Sequence, residues 1–264
     1  MTTNPSTRPQ EINETLSSLE RFNLEKITIF QDYVVSQCAT GTYDLLANLA
    51  LLKMYQFNAE QAKEDTIVNI LSKALTAFPE PDFTLSLHLL NPSVLQNYPP
   101  SGVAKPQPPK SKGEDSLTLA VHRLTYLNIL LESASFSLFW STLQSDDDEY
   151  ADLVADVKSF DDEIRKGITR ALALAVRSIK IDIAQSWWNF TSREQVEKWV
   201  QAELPGWQVN GDDVVKVETD DDDDVTQESV AAGKSDNSSG RVKFEQLSRL
   251  IKRVYENEAA VILA

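Results

Sequence analysis

One cysteine and two histidines are all that the 264-residue chain holds of the side chains on which most catalytic and metal chemistry is built. The single thiol, Cys38, excludes an intrachain disulfide and any cysteine-based zinc site. His88 lies among leucines and His122 on an apolar helical pattern, neither with a partner at motif spacing, so both are expected to be structural. Glycine is scarce as well. The one phosphate-loop echo, Gly233-Lys234-Ser235, has Glu228 where such a loop needs its first glycine. No run approaches the ~18 apolar residues of a membrane helix. The start, MTTNPSTRPQ, has no apolar core of a secretory signal, so a reducing, cytoplasmic setting is expected and the acceptor pattern Asn189-Phe190-Thr191 has no consequence. Basic charge is the last shortage. Lys and Arg number 25 against 40 Asp and Glu, a net charge of −15, which works against any surface meant to grip phosphates. These absences predict a protein that is not an enzyme and has no cofactor or metal.

What the sequence has in quantity is helical periodicity. From Asn23, read as an N-cap, the residues Leu24, Ile27, Phe30, Val34 and Cys38 step by three and four along one face, until Thr40-Gly41-Thr42 stops the helix. A second helix over 43–57 places Leu45, Leu49, Leu52 and Tyr55 in register. A third over 60–78 points Ile67, Ile70, Leu71, Ala74 and Leu75 inward and ends at Pro79 and Pro81. A short helix from Asp82 to Leu90 follows, then helices over 117–131, 134–143 and about 160–183. Residues 146–149, all acidic, read as a solvated turn or a negative helix start.

Near residue 185 the pattern changes. Thr191 or Ser192 caps a helix over 193–203, Leu204-Pro205-Gly206 stops it, and Trp207-Gln208-Val209 and Val214-Val215-Lys216-Val217 flank Asn210-Gly211 as a hairpin. Helices followed by a hairpin predict a helix-turn-helix with a wing. The last amphipathic pattern runs from Val242 to Tyr255.

The expected organisation is therefore mainly α. A disordered N-terminus (1–10) precedes a helical domain (11–184) carrying a flexible Pro- and Lys-rich insertion (91–115). A small winged-helix domain with a C-terminal helix (185–258) follows, interrupted by a disordered acidic insertion (218–240).

The sixteen residues 43–58, YDLLANLALLKMYQFN, closely resemble the subunit K family of eukaryotic translation initiation factor 3. Residues 71–76 with 82–85, 136–143 around Trp140, and 160–166 fit the same family in the same order. The resemblance covers roughly residues 11–90 and 114–210, and it leaves both insertions aside. It implies paired, HEAT-like helical hairpins followed by a winged helix, a layout shared with scaffold subunits of the proteasome lid and the signalosome. It also implies a non-catalytic role in translation initiation, with other subunits of the factor as partners, subunit L first, and the small ribosomal subunit reached through the complex.

A winged helix raises the question of nucleic acid. From Lys180 onward, 17 acidic residues oppose ten basic ones, and the helix over 193–203 sets Arg193 and Lys198 against Glu194, Glu197 and Glu203. Specific duplex binding is not expected. Binding of ribosomal RNA and a lid or signalosome scaffold remain as alternatives. Trp187, Trp188, Trp199 and Trp207 are expected to fill a thin core, some of them serving as partner anchors. The expected subunit interface is the stripe Leu247, Leu250, Ile251, Val254 and Tyr255 of the last helix, which either docks on neighbours or folds back. Ser145 and Thr219 precede acidic runs of the kind acidophilic kinases favour.

Overall fold

The computed structural model describes residues 8–18, 21, 23–92, 94–95, 116–145 and 149–217. The chain divides into two units, Met1–Val217 and Glu218–Ala264, and every described residue belongs to the first. The predicted insertion at 91–115 falls almost wholly outside the described residues. The acidic insertion at 218–240 and the last helix fall entirely outside them.

Among the described residues the chain forms α1 (Gln10–Ser17), α2 (Ile27–Thr40), α3 (Leu45–Phe57), α4 (Glu64–Thr76), α5 (Asp82–Leu87), α6 (Ser116–Glu132), α7 (Phe136–Leu143), α8 (Ala151–Val154), α9 (Phe160–Ala175), β1 (Ser178–Lys180), α10 (Ile181–Trp188), α11 (Arg193–Glu203), β2 (Trp207–Asn210) and β3 (Asp213–Lys216). The fold is mainly helical, with a small three-stranded sheet at its end.

Asn23 does cap, but it caps a 3-10 turn, Leu24–Lys26, by accepting the Glu25 amide at 3.1 Å. The α-helix starts only at Ile27, and Leu24 stays half exposed. Ile27, Phe30, Val34 and Cys38 are buried as the spacing predicts, and Gly41 at φ 76° gives the left-handed stop.

In α3 the face differs from the expected one. Ala47, Leu51, Leu52, Met54 and Tyr55 point inward, whereas Leu45 and Leu49 are only half buried. The helix is apolar nearly all round, so periodicity alone could not select its inner side. Partners did. Gln31 Nε2 donates to the Tyr55 hydroxyl and Gln37 Nε2 to Asn48 Oδ1, each at 2.8 Å, while the Asp44 amide donates to Gln37 Oε1 at 2.7 Å. This buried polar ladder locks α3 onto α2, since each group left unpaired there costs about 1–3 kcal/mol.

Helix α4 is the hub. It packs against α2, α5, α6, α8 and α9, and Ile67, Ile70, Leu71, Ala74 and Leu75 are all within the core. So is Lys73, at 1 % exposure, on a helix already surrounded. Burial pushes its ammonium pKa down, and the neighbouring Cys38 and Glu163 act the other way. One continuous apolar core then runs from Ile12 through α2–α9 to Val214 in the sheet.

Candidate interaction surfaces

The region 160–183, expected as one helix, is three elements. Helix α9 stops at Ala175, β1 pairs antiparallel with β3 (Ile179 opposite Val214), and α10 starts at Ile181. Three residues of strand carry no readable period, and a pairing partner 35 positions away stabilises β1. The order β1–α10–α11–β2–β3 with sheet order β1-β3-β2 makes a winged helix.

Its turns follow from the local sequence. Asn189 ends α10 in the left-handed region at φ 54°, a conformation asparagine tolerates, which is the structural use of the residue in the acceptor pattern. Ser192 and Gln195 form a reciprocal capping box at the start of α11. The expected hairpin forms, but its loop is Gly211-Asp212 and not Asn210-Gly211: Asn210 is the last residue of β2 and faces Asp213 in the ladder, and Gly211, at φ 60°, opens the loop as in a type II′ turn.

The winged helix is anchored to the helices before it. Trp140 Nε1 on α7 donates to the Trp187 carbonyl at 2.8 Å, and Arg165 Nε on α9 donates to the Trp188 carbonyl at 2.8 Å. The Arg165 guanidinium stands 5.2 Å from the ring centroids of both Trp140 and Phe190. Trp199 Nε1 on α11 donates to Thr169 Oγ1 at 2.9 Å. Trp188 and Trp207 are buried, and Trp187 and Trp199 are half buried against the same core, so all four of the clustered tryptophans serve packing. The joint is built as core.

The electrostatics of α11 oppose a nucleic-acid role. Arg193 Nε is 3.1 Å from Glu197, its Nη1 is 3.1 Å from Asp212, and it also donates to the Gly211 carbonyl. The hydrogen bonds to Glu197 and Asp212 raise its pKa, and the three contacts together occupy the guanidinium at the start of the helix. Between α11 and β2 lies a groove of about 430 Å³ bounded by Arg193, Glu197, Trp207 and Val209, of mixed polarity.

The residues weighed for chemistry are dispersed. His88 is exposed after α5, His122 is half buried on α6, and Cys38 is buried on α2, where desolvation pushes its thiol up to about 11. A thiol held neutral in this way is a poor nucleophile. Among the described residues no group of three or more His, Cys, Asp and Glu could hold a metal ion. The predicted interface residues Leu247, Leu250, Ile251, Val254 and Tyr255, together with Thr219 and Gly233-Lys234-Ser235, lie outside the described residues. Ser145 follows α7, its amide donating to the Thr142 carbonyl at 3.3 Å.

A winged helix packed directly onto a helical domain fits the family whose model matches residues 61–226, described as CSN8/PSMD8/EIF3K. The chain belongs to that family. Within it, the chain is similar to proteins named eukaryotic translation initiation factor 3 subunit K. It is 42 % identical to that of Sclerotinia sclerotiorum over 252 residues, 44 % identical to that of Aspergillus oryzae over 258, and 42 % identical to that of Phaeosphaeria nodorum over 252, covering 96 % of each chain in every case. Likeness of this extent favours the initiation-factor reading over the RNA-binding, lid and signalosome alternatives.

Proposed function

We propose that the chain works as a subunit of eukaryotic translation initiation factor 3 and contributes by protein contacts rather than by turnover. The observation that carries this is near-full-length identity above 40 % to proteins of that name. Physical chemistry supports the same reading. The net charge is −15, the one arginine at the start of α11 is already paired, and large apolar side chains remain exposed on the last helices before and within the winged helix, with Leu138 at 46 %, Leu174 at 87 % and Ile183 at 44 %. The finer parts of the proposal are subunit L as the immediate neighbour, contact with the small ribosomal subunit through the complex, and a cytoplasmic site of action.

The docking element proposed for subunit L is the stripe Leu247, Leu250, Ile251, Val254 and Tyr255. Its spacing of three and four residues is that of helix-in-groove anchors. Replacing both Leu250 and Val254 by aspartate is expected to reduce capture of subunit L by about tenfold or more. The far-ultraviolet circular dichroism and thermal midpoint of the isolated chain should stay as they were. Undiminished capture would remove the stripe from the interface, and collapse of the fold would make it core.

A further inference from the structure

Helix α3 carries a second apolar face. Leu46, Leu49, Ala50, Lys53 and Phe57, spaced i, i+3, i+4, i+7 and i+11, share the side turned away from Leu51 and Met54. Leu46 is 61 % exposed and Phe57 68 %. Leu46, Leu49, Ala50 and Lys53 of this face, together with Leu16 of α1, line a groove of about 490 Å³, and Phe57 continues the face one turn beyond it. Its charge is the reverse of the molecule's. Arg8, Arg21 and Lys53 line it, and among the described residues that line it none is a carboxylate, although carboxylates outnumber basic groups 40 to 25 in the chain.

Arg8 is committed to Asp44 beneath the groove. Among the described residues Lys53 meets no acid. Its Nζ donates to the neutral Gln56 side chain at 2.6 Å and lies 4.8 Å from the Phe57 ring centroid, an arrangement that holds the ammonium at the rim beside an exposed aromatic. The groove's lining on α3 runs from Leu46 to Lys53, about 10 Å at 1.5 Å per residue, which matches about two turns of a second helix. Apolar floor, basic rim and this length complement one kind of ligand.

We infer that the α1–α3 groove is a docking site for an acidic amphipathic helix of another protein chain, with two or three apolar anchors at i, i+3 or i+4, and i+7 entering the floor and a carboxylate meeting Lys53. The inference rests on the proposed assembly role and deepens it, because it names a surface distinct from the C-terminal stripe and the chemistry of what covers it.

The test places the photo-cross-linking residue p-benzoylphenylalanine at Leu46 in the full chain, expressed in cells and purified with the initiation factor at physiological salt. A control chain carries it at Leu174, exposed on α9. The Leu46 probe should label one segment of a partner subunit, net negative and with apolar residues at helical spacing, that the Leu174 probe does not label. Lys53→Glu should lower that yield by roughly fivefold to tenfold, and Lys53→Arg should leave it within about twofold. Labelling of a basic segment, RNA, lipid, a second copy or the chain itself overturns the inference. So does an unlabelled result with the chain present in the complex. If the chain is absent from the complex altogether, the assembly reading falls first and the groove inference falls with it.

Discussion

Gly167→Ala is expected to lower the unfolding midpoint of the chain by about 6–12 °C, although alanine is the better helix former by about 1 kcal/mol in an exposed helix. Gly167 is buried in α9 where that helix crosses the segment after α4. A Cβ there would stand 2.6 Å from the Phe78 carbonyl oxygen and 3.2 Å from Phe78 Cδ1. The nearer atom belongs to the backbone and cannot rotate aside. The same oxygen accepts from Arg170 Nη2 at 2.6 Å, one turn along α9, so moving the segment also disturbs that bond. Overpacking of this kind costs about 1–3 kcal/mol, and the disturbed charge-assisted bond brings the total to about 3 kcal/mol. A thermal melt followed by circular dichroism reads the result. An unchanged or higher midpoint would show that α9 does not approach so closely.

Asp44→Ala has an effect of similar size for a different reason. Asp44 is fully buried at the start of α3. Its Oδ1 accepts from Arg8 Nη2 at 2.8 Å and from the Ala47 amide at 3.3 Å, and its Oδ2 accepts from Arg8 Nε and, at 3.3 Å, from the Tyr33 hydroxyl. The carboxylate thus caps the helix, holds the segment leading into α1, and satisfies a buried phenol. Burial, reinforced by Asp44 itself, pushes that phenol up to about 12, so it stays protonated and donates. Loss of a cap costs about 1 kcal/mol and stranding the buried donors about 2 kcal/mol more, which lowers the midpoint by about 6–12 °C. Arg8→Ala leaves the cap and the phenol contact intact and should cost about half as much. The double variant should cost less than the two singles added together, because both remove the same ion pair. Strict additivity would mean that Arg8 and Asp44 act independently.

Periodicity made much of the fold legible. The inner faces of α2 and α4, the Ser192 cap and the Gly211 hairpin are all local in origin, so a chain read a few residues at a time reveals them. What stayed hidden depends on partners distant in sequence. β1 is a strand through its pairing with β3, and Gln31 and Gln37 are buried through Tyr55 and Asn48. Lys73 looks like an outer position of α4 until α2 and α9 close over it. The groove on α3 did leave a trace. A helix apolar on all sides, as LLANLALLKMYQF is, has more greasy surface than one core contact can cover. The predicted stripe at Leu247–Tyr255 lies outside the described residues, and its role rests on sequence spacing alone.

The proposed role requires this chain to hold to other polypeptides and not to nucleic acid. It is tested most directly by purifying the tagged full-length chain from its own cells after nuclease digestion, with washes from ~50 mM to ~200 mM salt, and quantifying the bound chains at each step. Across that range phosphate contacts lose orders of magnitude in affinity, while apolar packing changes little. Other subunits of translation initiation factor 3 are expected to stay bound in constant proportion throughout. Loss of those subunits on digestion or with rising salt, while RNA fragments remain on the chain at low salt, would contradict it.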